Sequence, residues 1–310
     1  LLLIRDASGD ILCFKCDHVL TDAAGLKYLL FLFAEAYTQG RLTQPINPDR
    51  GLWQVLRAFP VPELVRAARR ASIPRPGPSL ISGPFVDQSI FIEHAHLEPR
   101  PFEQMHAAAK GHGVTINDLL LASLYQAIFD RLPSDTFSPY PVMVPVDMRR
   151  YLSEEDRGII GNLSSAVYPS LSGKPGLSFS ETLAAVKARM DALKGDQPGL
   201  GAMILMMVGA AAGGRLLHDR YRMAASRASR FINFTNFGVI DEGSCSFGNL
   251  SPEQIYGVGP IQYAPGILIA LSTYRDTLHL VVQGNDHPRF QPFIREFLES
   301  ILSQCRPPII

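Results

Sequence analysis

The chain has little of what marks several common functions. Four cysteines in 310 residues are too few for a disulfide framework, and a reduced, cytoplasmic setting is the natural expectation. Cys13 and Cys16 form a C-x-x-C, yet no second pair follows to complete a zinc site. Residues 11–16 read as a strand, which turns positions three apart to opposite faces, whereas redox pairs work at a helix N-terminus. Neither sign of charge dominates, since 29 Lys and Arg offset 29 Asp and Glu, and the basic pair Arg69-Arg70 sits on a predicted helix. That balance gives no footprint for nucleic acid or an acidic surface. The longest apolar stretch, residues 202–217, is too short and too glycine-rich to span a bilayer. The first residues run at once into charge and a turn at Ser8-Gly9-Asp10, unlike a secretory leader.

Metal-ligand spacing is also lacking. His94 and His96 alternate on a predicted strand and share a face, but no acidic or cysteine partner accompanies them at ligand spacing, so a solvated pair is expected. His106, His112, His218, His279 and His287 are scattered without a pattern. The acidic run Glu154-Glu155-Asp156 reads as a solvated loop.

What is present is a core. With 46% hydrophobic and 19% charged residues, the chain can fill two lobes. Leu26, Leu29, Leu30, Phe33, Ala34 and Tyr37 recur at helical spacing behind Asp22, which sits at the N-cap position. Further helices are predicted at residues 62–71, 102–111, 118–131, 179–194, 203–217 and 290–304. Strands are predicted at 88–97, 140–147, 162–171, 231–236, 267–274 and 278–283. Residues 72–84, with Pro74, Pro76, Pro78 and Pro84, read as a linker between lobes at 1–84 and 85–310. The mixture implies an α/β sandwich.

The segment most suggestive of chemistry is Cys16-Asp17-His18-Val19-Leu20-Thr21-Asp22-Ala23-Ala24-Gly25, which sets a histidine and an aspartate four residues apart on a turn between strand and helix. Three others follow in order: Thr115-Ile116-Asn117-Asp118-Leu119-Leu120-Leu121-Ala122; Val144-Pro145-Val146-Asp147-Met148-Arg149 with Gly161-Asn162; and Asn233-Phe234-Thr235-Asn236-Phe237-Gly238. The first resembles the HHxxxDG motif of the chloramphenicol-acetyltransferase-like superfamily, which includes nonribosomal-peptide condensation domains, alcohol acetyltransferases and polyketide-associated acyltransferases. The others are similar to that family's helix after the crossover, its VPVDxR strand with GN turn, and its SNxG strand.

The resemblance implies a two-lobed chloramphenicol-acetyltransferase-like sandwich whose first lobe is incomplete here, because in that family a long segment precedes the motif. It implies an acyltransferase that moves an acyl group from a thioester, coenzyme A or carrier-protein pantetheine, to an alcohol or amine, with no metal and no tightly bound cofactor. His18 aligns with the family's general base, an imidazole that takes a proton from the acceptor and returns it to the departing thiolate. Asp22 is implied to pair with Arg149 and hold the loop that aims His18. Thr235 and Asn236 match a polar pair that either meets the developing oxyanion or hydrogen-bonds locally at a strand end.

Two positions depart from the motif. Asp17 stands where the family has its first histidine, and Ala23 where it has glycine, with Gly25 two residues on. Asp17 either folds toward His18 or faces solvent, and Ala23 narrows an approach that glycine leaves open. Together with the incomplete first lobe that the resemblance implies, they motivate a second reading, a noncatalytic condensation-like binding or scaffolding domain.

Overall fold

The computed structural model describes residues 1–7, 9–43, 46–81, 89–133, 138–173, 175–195, 197–211, 231–262, 265–288 and 290–305. Positions 82–84 of the predicted linker, 212–217 of the predicted apolar helix, and His218 lie outside the described residues.

In chain order the elements begin with β1 (Leu2–Asp6), β2 (Gly9–Cys13), α1 (Ala23–Gln39), α2 (Trp53–Arg57), α3 (Val61–Arg70), β3 (Ile90–Leu97), α4 (Pro99–Gly111) and α5 (Ile116–Phe129). They continue with β4 (Tyr140–Asp147), β5 (Ser164–Val167), β6 (Ser170–Leu171), α6 (Phe179–Lys194) and α7 (Leu200–Ala211). The last are β7 (Ile232–Val239), β8 (Ile267–Tyr274), β9 (Thr277–Asn285) and α8 (Phe290–Ser303). The expected α/β class is therefore present. Two compact units partition the chain: a smaller one of Leu1–Pro60, Asp147–Ser164 and Ile240–Ile255, and a larger one of Val61–Val146, Ser165–Val239 and Tyr256–Ile310. The predicted lobes at 1–84 and 85–310 were contiguous, whereas the chain enters the smaller unit three times.

The larger unit is built on a sheet of order β3-β9-β8-β7-β4-β5, with β6 pairing β4 off that path. Strands β4, β7 and β8 are parallel, while β9 runs antiparallel to β8 and to β3. A two-residue turn joins β8 to β9, and its central residues Arg275 and Asp276 both have positive φ (47° and 56°), the primed-turn geometry that matches strand twist. On one face Ile267, Ile269, Leu271, Leu278, Leu280, Val282, Ile232 and Phe234 enter the main core with α5 and α8. Helix α5 is apolar nearly all round and is buried from Asp118 to Phe129. A reciprocal cap starts it: Thr115 Oγ1 accepts from the Asp118 N–H at 3.1 Å, and Asp118 Oδ2 accepts from the Thr115 N–H at 3.0 Å.

Among the strand boundaries that differ from the sequence reading, two follow from pairing. The predicted strand at 162–171 is broken into β5 and β6 around Pro169, whose carbonyl accepts from the Val142 N–H at 3.0 Å and from the Tyr125 hydroxyl at 2.7 Å. The predicted strand at 11–16 ends at Cys13, where its partner β1 runs out at Leu2.

The other sheet face carries Leu268, Ala270 and Val281 packed against Phe237. Farther along lie three histidines, because the β3–β9 register sets His96 opposite His279 with His94 two residues away on β3. Of the solvated pair expected, His96 is exposed but His94 is half-buried. His94 Nε2 lies 3.0 Å from Nδ1 of the buried His279, and the His94 ring stacks on Tyr256 at 4.2 Å between centroids. His96 Nε2 is 3.0 Å from Glu98 Oε1. Antiparallel pairing brought in His279, which local spacing could not show.

Within the smaller unit, the β1–β2 hairpin is exposed along its length. Phe14, Phe33, Tyr37 and Phe247 form a chain of ring contacts at 5.8 Å centroid spacing along one side of α1.

Candidate functional site

The histidine motif folds as a turn followed by a capped helix, all within the smaller unit. Asp17 closes the turn: its Oδ1 accepts from the Val19 N–H at 2.9 Å, and its carbonyl accepts from the Leu20 N–H at 3.0 Å. The Asp17 carboxylate is therefore engaged by backbone rather than by the neighbouring imidazole. Arg50 Nη2 donates to the Leu20 carbonyl on the other side of the turn.

His18 is exposed, and its ring is oriented through one nitrogen. Nδ1 lies 3.1 Å from the Thr21 carbonyl, an atom that only accepts, so Nδ1 carries the proton. In the neutral ring Nε2 then holds the lone pair, and it has no hydrogen-bond partner among the described residues. Asn162 Nδ2 approaches Nδ1 at 3.3 Å, but two donors cannot share that contact. Its productive bond is the 2.8 Å donation to the His18 carbonyl. Asn162 is itself fixed by Ser164, whose hydroxyl and N–H donate to its Oδ1 at 2.7 and 3.2 Å.

Behind the histidine lies a buried ionic cluster. Asp22 caps α1, with Oδ1 accepting from the Gly25 N–H at 2.9 Å. Its Oδ2 accepts from Arg149 Nη1 at 2.8 Å and from the Leu163 N–H at 2.7 Å. Arg149 also donates through Nη1 to Asp147 Oδ1 at 3.0 Å, and through Nη2 to the carbonyls of Ile159 at 2.9 Å and Gly161 at 2.8 Å. Both Asp22 and Arg149 are 5% exposed. Burial by itself lowers the Arg149 pKa, but hydrogen bonding and charge from Asp22, with Asp147 behind, outweigh it and hold the guanidinium above its usual value.

Gly25 explains why glycine stands two residues beyond Ala23. A Cβ there would meet Thr21 Oγ1 at 2.2 Å, and Arg149 Nη2 and the Gly161 carbonyl at 3.1 Å each. The first turn of α1 thus sits directly on the Arg149 cluster. The connection runs from Asp22 through Arg149 to Gly161, and from there to Asn162 and His18. Asn162 is the functional candidate that the sequence reading left without a role, although it had singled out the Gly161-Asn162 turn.

A cleft of about 280 Å³ adjoins the turn, with Cys16, Leu20, Thr21, Leu29 and Ile160 among its walls. Cys13 is exposed and Cys16 half-buried, both as free thiols, and Cys16 lies beyond the end of β2. Thr235 and Asn236 belong to the larger unit. Asn236 is exposed, with Oδ1 accepting from the Gly238 N–H at 2.7 Å and Nδ2 3.4 Å from Asn117 Oδ1. Glu154, Glu155 and Asp156 are exposed, and Asp156 Oδ2 accepts from the Ser153 hydroxyl at 2.7 Å. Among the described residues, no group of three or more His, Cys, Asp or Glu side chains could hold a metal ion, and no helix is long and apolar enough to cross a membrane.

No protein-family model matches the sequence, and no curated protein matches it. Solved structures do match in three dimensions. Polyketide synthase associated protein 5 from Mycobacterium tuberculosis aligns at TM-score 0.63 and 15% identity, over 98% of this chain and 75% of that one. The first condensation domain of the CDA synthetase aligns at 0.62 and 18%, over 94% of this chain and 63% of that one. A trichothecene 15-O-acetyltransferase from Fusarium sporotrichioides aligns at 0.55 and 16%, over 70% of this chain and 46% of that one. The chain therefore spans less than two thirds of the condensation domain and less than half of the acetyltransferase. At these identities the likeness shows the fold, and the chain has the chloramphenicol-acetyltransferase-like α/β fold.

Proposed function

We propose that this chain is an acyltransferase that moves an acyl group from a thioester to an alcohol or amine, with His18 as general base. The observation that carries the reading is the 3.1 Å contact of His18 Nδ1 with the Thr21 carbonyl: in the neutral ring it commits Nδ1–H there and leaves the Nε2 lone pair to act as base. Nε2 takes the proton as the acceptor's oxygen or nitrogen attacks the thioester carbonyl. A tetrahedral oxyanion forms, then collapses and expels the thiolate, which recovers the proton from Nε2–H. The acyl group passes directly from donor to acceptor, so no covalent enzyme intermediate is needed.

Asp22 and Arg149 act in this reading as positioning residues. Arg149 holds the 159–161 backbone, whose neighbour Asn162 bonds the His18 carbonyl, so the pair sets the place of the imidazole without touching substrate. The fold likeness to a condensation domain and an acetyltransferase supports the reaction class. Coenzyme A and carrier-protein pantetheine both remain donors within the proposal. The noncatalytic alternative rests on Asp17 and Ala23. Against it, the Asp17 carboxylate is occupied by the Val19 N–H, and Ala23 is the first residue of α1.

The test is thiol release from acyl-coenzyme A and from a loaded carrier protein, with mixed alcohol and amine acceptors, for the parent chain and a folded His18→Ala variant. Acceptor-dependent release that falls about 10²- to 10⁴-fold in the variant is expected. Release unchanged by the substitution would remove His18 from the mechanism, and no release from either donor class would favour the noncatalytic domain.

A further inference from the structure

Helices α3 and α7 pack side by side within the larger unit. They run in the same direction: Gln197 Nε2, just ahead of α7, donates to Glu63 Oε2 at 2.7 Å, and four residues on Gly201 faces Ala67 and Ala71. A Cβ at Gly201 would run into the Ala67 carbonyl, so glycine is what permits the close approach. Each helix also has an inner side. Leu64 and Ala68 of α3 are half-buried, and Leu200 and Met203 of α7 are buried.

The 3.6-residue period then sets what the pair turns outward. On α3 the side away from Leu64 and Ala68 carries Arg66, Arg69 and Arg70, all exposed. On α7 the outer side carries Leu205 and Met206, 42% and 52% exposed, with Val208, 61% exposed, farther along. Helix α7 has no charged residue and no hydroxyl or amide side chain in its twelve positions. The one acid on α3, Glu63, is bonded to Gln197. An arginine row thus lies beside an exposed apolar face, in a chain of zero formal net charge. Even charge over the whole chain hides this patch, which exists only once α3 lies against α7.

We propose that the α3–α7 surface docks on an anionic membrane surface. Leu205, Met206 and Val208 enter the boundary between headgroups and acyl chains, while the arginines of α3 meet lipid phosphates. The pattern of charge selects this partner: guanidinium groups need anions, the adjoining apolar face needs hydrocarbon, and an anionic bilayer offers both across one interface. A protein partner fits less well, because α7 has no polar side chain to fix its register. At twelve residues, about 18 Å of helix, α7 lies on the surface and does not cross it. The inference stands on α3 and α7 alone and needs no turnover.

The experiment is flotation with vesicles of phosphatidylcholine alone, and of phosphatidylcholine with an equal part of phosphatidylglycerol. The parent chain is compared with the double variants Arg66→Gln, Arg69→Gln and Leu205→Ser, Met206→Ser. All four positions are exposed, so both variants should keep the parent's Tm. Binding to the anionic vesicles is expected, weakened about tenfold or more in either variant. Binding of the parent should also fall as salt is raised, a readout that needs no variant. Equal binding to the two kinds of vesicle, binding to neither, or binding that salt and both variants leave unchanged would overturn the proposal. So would a dimer in sedimentation velocity that the serine variant abolishes while no vesicle is bound, which would give the face to a second copy of this chain.

Discussion

Two regions of this molecule bury polar side chains, and they do so in opposite ways. Around Arg149 the charges are complementary: one guanidinium meets two carboxylates and two carbonyls, and Asp22 adds bonds from two backbone N–H groups. On the outer sheet face His94, His96 and His279 are partners of the same kind, held together only while neutral rings can exchange a donor for an acceptor. The first arrangement keeps its charge under burial, and the second survives by suppressing it. Burial lowers the pKa of His94, and burial with the neighbouring His94 and His96 pushes His279 down to about 4. The region that positions His18 is thus held by opposite charges, whereas the histidine stack holds only while its rings stay neutral and loosens as the pH falls below neutrality.

The largest effect should come from breaking the first region. Arg149→Met leaves the Asp22 carboxylate buried at 5% exposure without its cation, and such a loss costs about 3–5 kcal/mol. Chemical denaturation would measure it, and combining it with Asp22→Asn should recover part of the loss, because the stranded charge is then gone. A cost below about 1 kcal/mol for Arg149→Met would mean that the cluster behaves like a surface pair, and the comparison would collapse.

The second region predicts a pH dependence below neutrality. His279 has a folded pKa near 4, below the ordinary histidine value of 6.5, so the unfolded chain binds more protons between those limits. Its contribution is fully present above pH about 6.5 and is lost as pH falls toward about 4, by at most about 3 kcal/mol. The groups facing it are His94, His96 and Tyr256, with Glu98 opposing the shift. Urea unfolding of the parent and of His279→Gln between pH 7.5 and 4.5 should show a shallower decline in the variant. Parallel declines would assign the pH sensitivity to carboxylates elsewhere.

The same contrast explains how much of the molecule was legible in the sequence. Helix α6 falls on the predicted residues Phe179 to Lys194, because its limits are local: Ser178 and Glu181 form the capping box and Gly195 follows its end. Strands β4 and β8 were legible as apolar runs, and Asp22 as an N-cap. The histidine stack was not, since it depends on β3 pairing with β9 across nearly two hundred residues of chain. Asn162 was visible as part of a Gly-Asn turn, but its bond to His18 depends on Arg149 drawing in the 159–161 backbone. Local periodicity reports elements and caps, and it is silent on which distant turn comes to rest against a histidine.

The smallest predicted effect is the one that tests how self-contained the His18 turn is. Asp17 is the obvious departure from the resembled motif, and a carboxylate next to an imidazole in sequence invites a catalytic role. Its Oδ1 instead accepts from the Val19 N–H, a bond that an asparagine side-chain oxygen makes equally well. Asp17→Asn should therefore change stability by less than about 0.5 kcal/mol, whereas Asp17→Ala, which removes the acceptor, should cost about 1 kcal/mol. Rates of the proposed acyl transfer should follow the same order, near parental for asparagine and reduced for alanine as the turn loosens around His18. If asparagine and alanine were equally damaging, the charge of Asp17 would matter more than its hydrogen bond. The turn would then depend on electrostatics, as the Arg149 cluster does, and not on backbone geometry alone.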